Sequence, residues 1–130
     1  MAIAYSAAVR NAMLDAITAQ IGASGKLAIY NGTRPSTGGT ATTKLAELTC
    51  NATFAPAASG GVLTLNAITQ DPTADFTGTA TWGRLTTSGG TFIADFNVGT
   101  SGSDLNLNTT SIVATGPVSV TSFTITDPNS

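Results

Sequence analysis

Apolar side chains recur along this chain with two different periods. Near the start, Val9, Met13, Ile17 and Ile21 follow one another at every fourth position, with Leu14 in the adjoining row, which predicts one α-helix over residues 6–21. Ala7, Ala8, Ala12, Ala16 and Ala19 add helix propensity. Ser6 can cap the first turn through its hydroxyl, and Gly22 can take the left-handed conformation that ends a helix. Arg10, Asn11, Asp15 and Thr18 lie mostly off the apolar row.

After Gly25 the period becomes two and β-branched residues predominate, as half-buried strands require. About eight strands are expected, over residues 26–30, 44–50, 61–67, 79–87, 91–98, 104–107, 110–114 and 118–126. Ser88-Gly89-Gly90 marks a hairpin, because glycines accept the positive φ of the tight turns that match strand twist. Within it Phe92, Ala94, Phe96 and Val98 share one parity, and Ala80 and Trp82 share one on the partner strand. Val118 and Val120 differ in parity from Phe123 and Ile125, which predicts a bulge near Thr121 and Ser122.

Many short strands, Gly-rich turns and one flanking helix point to a mostly β domain, a β-sandwich or jelly-roll-like fold. No charge run or repeat divides the chain, so residues 1–130 are expected to form one domain ending in a short tail, 127–130. Two aperiodic stretches interrupt the pattern, 31–43 and 51–60. Irregular segments of that length in a compact domain are usually functional.

Composition narrows the function. Apolar residues make up 42 % of the chain but Asp, Glu, Lys and Arg only 9 %, well under the roughly 25 % of ordinary soluble domains. Mean hydropathy of +0.22 with a net charge of −2 argues for a folded chain, and so little surface charge leaves it open to association. Arg10, Lys26, Arg34, Lys44 and Arg84 are scattered, which speaks against nucleic-acid binding. Arg10 interrupts any signal-peptide core and no apolar run approaches the length of a spanning helix, so an aqueous location without membrane contact is expected.

Candidate chemistry is sparse. The absence of His removes the commonest general base and metal ligand. Cys50 has no partner for a disulfide within the chain and reads as a small buried apolar residue. Asp15, Glu47, Asp71, Asp75, Asp95, Asp104 and Asp127 occupy turn or strand-alternating positions rather than an acid/base pair, and Asp71 and Asp75 lack the calcium-loop pattern. Gly22 to Lys26 follows a helix where a phosphate-binding loop precedes one, and Leu27 replaces its Ser or Thr. No catalytic residue, cofactor, metal or small-molecule substrate is expected. Trp82 with the Phe and Tyr residues could form a stacking platform for a sugar, but its place in the strand alternation favours the core; Phe54 and Phe76, in irregular segments, suit partner contact better.

Several blocks resemble one family. They are Ala4-Tyr5-Ser6, Val9-Arg10-Asn11, the run from Gly25 to Pro35, Ala46-Glu47-Leu48-Thr49, Gly78-Thr79-Ala80-Thr81-Trp82, the run from Val98 to Asn108, and Val118 to Phe123. Together they span nearly the whole chain and resemble a widespread family of small virion structural proteins of tailed bacteriophages. The resemblance implies a capsid decoration or cement protein on the virion surface, made in the host cytoplasm, whose partners are the major capsid protein and copies of itself as a dimer or trimer. A tail or adsorption component is the alternative within the particle, and a carbohydrate-binding module the alternative outside it. Partner contacts are expected at Arg34, Pro35, Phe54 and Pro56 in the two long loops, and secondarily on the helix around Arg10 and Asp15.

Overall fold

The computed structural model describes residues 5–103 and 105–126; the expected tail at 127–130 lies outside them. The domain is mostly β, and the described residues form one N-terminal helix, α1 (Ala7–Ile21), and nine strands. These are β1 (Lys26–Tyr30), β2 (Lys44–Thr49), β3 (Val62–Thr64), β4 (Gly78–Thr79), β5 (Trp82–Thr86), β6 (Phe92–Gly99), β7 (Leu105–Leu107), β8 (Ser111–Ile112) and β9 (Val120–Thr126). Seven form one sheet in the order β2-β1-β5-β6-β7-β9-β3, and β4 and β8 form a separate ribbon. One buried cluster joins the inner face of the large sheet to the ribbon through Ala80 and Ile112, and to the helix through Leu14 and Ile21, in a β-sandwich-like arrangement.

The helix is capped as its sequence predicts. Ser6 Oγ accepts the Val9 N–H at 3.2 Å, and Gly22 at φ 69° closes the other end by donating to the Thr18 carbonyl. Its buried face differs from the expected one. Successive i, i+4 positions precess by about 40° around a helix of 3.6 residues per turn, so the Val9–Met13–Ile17–Ile21 row winds from solvent into the core. Val9 and Met13 are exposed, Ile17 is half-buried and Ile21 is buried, while Leu14, seven positions before Ile21, shares the buried line.

The expected strand at 79–87 divides at Ala80 and Thr81. Gly78 and Thr79 pair with Ile112 and Ser111, whereas residues 82–86 pair with β1, and the Ala80 and Thr81 N–H groups donate to Thr110 and Tyr30 on the two sides. The bulge expected near Thr121 is present as a register shift: Ser122 opposes Asn106 but Val120 opposes Leu107. β6 and β7 run parallel over Val98↔Leu105 and Gly99↔Asn106.

A second bulge redirects Phe92. Leu85 pairs with Ala94 and Thr86 with Phe92, so β6 gains a residue at Ile93 and the expected Phe92–Val98 face breaks there. Ala94, Phe96 and Val98 keep the inner parity, but Phe92 lies against the guanidinium of Arg84, 5.2 Å from ring centre to Cζ. Trp82 opposes Asn97 rather than Phe96, and so stands on the outer face of the sheet with Arg84 and Asp95. The inner side at Gly83 is filled by Phe96, whose ring stacks at a tilt on Phe123 with centroids 4.8 Å apart.

Candidate partner-binding surface

The segment 31–43 is built onto the outer sheet face. Trp82 is fully buried although it stands outside the main core cluster. Its indole N–H donates to the Asn31 carbonyl and to Thr42 Oγ1, both at 3.0 Å, and its ring stacks on the cross-strand neighbour Tyr30 with centroids 4.3 Å apart. Such a stacked pair contributes about 0.5–1.5 kcal/mol beyond the area it buries.

Beside it Arg84 binds Asp95 with two hydrogen bonds, Nε to Oδ1 at 2.7 Å and Nη2 to Oδ2 at 3.1 Å. Both side chains reach into the loop: Arg84 Nη2 donates to the Gly39 carbonyl at 2.8 Å, and the Gly38 N–H donates to Asp95 Oδ2 at 3.1 Å. Burial alone would push the Asp95 carboxyl up, but the Arg84 and Gly38 hydrogen bonds and the charges of Arg84 and Arg34 outweigh it and hold the carboxyl below the ordinary carboxylate range. The hydrogen bond to Asp95 raises Arg84 further, against the opposing effect of its burial. Much of this long loop therefore serves to cover Trp82, and Arg34 remains exposed with Pro35 half-buried at its near end.

The second segment, 51–60, packs inward. Phe54 is 1 % exposed and belongs to the core, which corrects its expected role as a surface contact. Its carbonyl accepts the Asn66 N–H at 3.0 Å, and Asn66 Nδ2 donates to the Thr53 carbonyl at 2.9 Å, so the aromatic ring is carried into the interior by a loop with no periodicity to announce it. Pro56 stays exposed, on a shallow groove it shares with Asp15, Thr18 and Ala19 of α1. Gly60 and Gly61, both at positive φ, then form a tight turn into β3 closed by reciprocal Ser59 and Val62 hydrogen bonds at 3.0 Å.

Arg10 and Asp15, expected to present the helix to a partner, are half-buried on its inward flank. Asp15 Oδ1 accepts the Ala58 N–H at 2.7 Å, Asn11 Oδ1 accepts the Gly61 N–H at 2.9 Å, and the Arg10 guanidinium fills the space where a Gly61 side chain would stand. The helix thus uses its polar flank to hold the protein's own loop. Its opposite flank is apolar and exposed, at Val9 and Met13, and Tyr5 before the helix is exposed as well.

The remaining carboxylates are structural in their contacts. Glu47 pairs with Lys44 at 3.3 Å, and Asp71 accepts the N–H groups of Glu47 and Thr73, each at 3.0 Å. Asp75 is exposed, and Asp104 and Asp127 lie outside the described residues. Cys50 is buried, and desolvation pushes its thiol up to about 11 despite the opposing charge of Lys26. Among the described residues no group of three potential metal ligands comes together, and no helix is long and apolar enough to cross a membrane.

Among the described residues, the large exposed apolar side chains are Tyr5, Val9 and Met13 in or just before α1, Phe92 at the start of β6, and Phe76 and Val113 by the β4–β8 ribbon. Phe76 was singled out by its irregular segment, and it is 57 % exposed. The outward Val9–Met13 face was missed, although the precession of an i+4 row would have revealed it. Compared with family models, characterised proteins and solved structures, the chain matches none.

Proposed function

We propose that the chain is a non-enzymatic structural component of a tailed-phage virion, a decoration or cement protein that binds the outside of the assembled head. The observation that carries this reading is the set of residue blocks, from Ala4-Tyr5-Ser6 to Val118–Phe123, that resembles small phage virion proteins over nearly the whole chain. The exposed apolar side chains Tyr5, Val9, Met13, Phe76 and Val113 support a role in meeting other protein.

On this reading copies made in the host cytoplasm bridge neighbouring major capsid proteins and oppose the outward strain of packaged DNA. A clamp that binds only the assembled lattice stabilises it by RT ln(1 + [L]/Kd) at every site, so modest single contacts suffice when the site repeats. Arg34 and Pro56, exposed on the two long loops, and Phe76 are the side chains offered to the capsid; Phe54 is not.

The test is a particle lacking the protein. Such particles are expected to assemble but to lose DNA at lower temperature or milder osmotic shock than complete ones, and to regain resistance when purified protein is added. Equal resistance with and without the protein would remove the cement role. Counting copies per particle separates it from a tail component, which would be present in far smaller number. The glycan alternative loses its platform, since Trp82 is buried under the 31–43 loop.

A further inference from the structure

Asn31 opens the loop that covers Trp82 and holds that loop at several points. Its N–H donates to the Thr43 carbonyl at 3.3 Å, and its Oδ1 accepts the Thr43 N–H at 3.2 Å. Its carbonyl accepts both the Trp82 indole N–H and Thr42 Oγ1. The next residue, Gly32, is exposed and lies at φ 73°. Its carbonyl accepts the Thr81 hydroxyl at 2.6 Å, but among the described residues nothing accepts its N–H.

We propose that Asn31 is a site of spontaneous covalent modification, losing ammonia to form a cyclic imide with Gly32, and that the isoaspartate formed from the imide unlatches the loop from Trp82. The proposal is independent of the virion reading.

The chemistry needs only water. Asn31 Cγ lies four bonds from the Gly32 nitrogen, so attack closes a five-membered ring. The Gly32 nitrogen gives up its proton and bonds to Cγ, the Cγ–Nδ2 bond breaks, and Nδ2 takes up a proton and leaves as ammonia. Water then opens the imide at one of its two carbonyls. Opening at Cγ gives aspartate, and opening at the former main-chain carbonyl gives isoaspartate. The balance is one water gained and one ammonia lost.

Three features set Asn31 apart from the other asparagines of the described residues. It alone precedes Gly; Asn11, Asn51 and Asn66 precede Ala, and Asn97, Asn106 and Asn108 precede Val, Leu and Thr, whose side chains crowd the closing ring. The attacking nitrogen is unengaged, whereas the corresponding Val98 N–H after Asn97 donates to the Thr81 carbonyl at 3.1 Å. The Thr43 N–H on Oδ1 polarises the amide carbonyl and stabilises the negative charge that gathers on this oxygen as the ring closes.

The two products differ in what they do to the loop. Isoaspartate routes the chain through Cβ and Cγ, one methylene longer, so Gly32 departs from the place of Nδ2 and its carbonyl is drawn off Thr81. The former main-chain carbonyl becomes a carboxylate against the fully buried Trp82, and a charge there is costly until water reaches it. Both effects open the 31–43 loop. Aspartate keeps the original chain path and an oxygen for the Thr43 N–H, so it leaves the loop closed.

Ageing the purified, folded full-length chain at about pH 8 and 37 °C tests this. The tryptic peptide 27–44, in which Pro35 blocks cleavage after Arg34, holds Asn31 as its one asparagine. It is expected to gain about 1 Da ahead of the peptides holding the other asparagines, and to become a substrate for protein isoaspartate methyltransferase. No gain in the folded chain while the free peptide converts, or a gain no sooner than elsewhere, overturns the site.

Trp82 is the sole tryptophan, so its emission reads the latch directly. The deamidated fraction, collected by anion exchange, should emit at longer wavelength and be quenched by acrylamide at least about twofold more strongly than fresh chain. Fresh Asn31→Asp should match the wild type in emission. Unchanged emission in a fraction that carries isoaspartate, or an equal shift in Asn31→Asp, overturns the unlatching.

Discussion

Arg84 and Asp95 face each other across β5 and β6 and together tie down the loop at 38–39, so one ion pair joins two strands to a segment more than 40 residues earlier in the chain. The side chains are only 14 % and 4 % exposed, which separates this pair from a surface salt bridge.

Removing one partner should therefore be costly. Asp95→Ala leaves a largely buried guanidinium without its carboxylate and should destabilise the domain by about 3 kcal/mol in urea unfolding, while replacing both residues with apolar ones should recover most of the loss. Amide hydrogens of residues 38 and 39 should exchange faster in the single variant. A loss below about 0.5 kcal/mol would mean that the pair behaves as an exposed one.

The same pair sets an acid limit. Because the folded Asp95 carboxyl is held below its unfolded value of about 3.9, its contribution is complete above that pH and is lost as pH falls through the lower folded value. Trp82 fluorescence, a reporter of the covering loop, should stay constant from pH 7 to 5 and change only in the acid region below about pH 4. Asp95→Asn should lack that acid step; an identical step in the variant would assign it to another carboxylate.

Gly83 leaves no room for a side chain under the inner face. A Cβ there would lie 2.6 Å from Phe96 Cε2 and 3.1 Å from the Ala28 carbonyl, so Gly83→Ala should cost about 1–3 kcal/mol through displacement of the ring. Calorimetry of Gly83→Ala with and without Phe96→Leu checks the cause, since the smaller side chain should offset part of the loss. Additive effects of the two substitutions would place the strain elsewhere.

Cys50 should be silent toward thiol reagents. With its thiol raised to about 11 and its side chain in the core, the native protein at pH 8 should react with an aromatic disulfide reagent only at the rate of unfolding, and stoichiometrically in denaturant. Rapid native labelling would contradict its burial.

Local signals in the sequence were readable where they act locally. Ser6 and Gly22 bracket the helix, Ser88-Gly89-Gly90 turns the hairpin, and the parity change around Thr121 announces a bulge. Facing was harder to read, because it depends on how far a pattern drifts or slips. The i+4 row of α1 rotates out of the core, and one extra residue at Ile93 sends Phe92 to the outer side. Phe54 and Trp82 are buried by segments without periodicity, through hydrogen bonds to Asn66, Asn31 and Thr42 that no spacing rule encodes. Arg10 and Asp15 follow the same logic: a charged residue on a helix suggests water, but the neighbouring loop offers Asp15 the Ala58 N–H and leaves the Arg10 guanidinium the space beside Gly61.

The sheet order also governs when this protein can fold during synthesis. β3 has β9 as its strand partner, with Val62 opposite Thr126, and the β1–β2 hairpin waits for residues 82–86 to flank it. A ribosome delivers the early strands long before their mates, so about half of the chain must remain soluble while unpaired. Chaperones that hold nascent chains would therefore find unpaired strands in this protein during its translation, and a stop codon just before β9 would leave β3 without its strand partner and β7 as the open edge of the sheet.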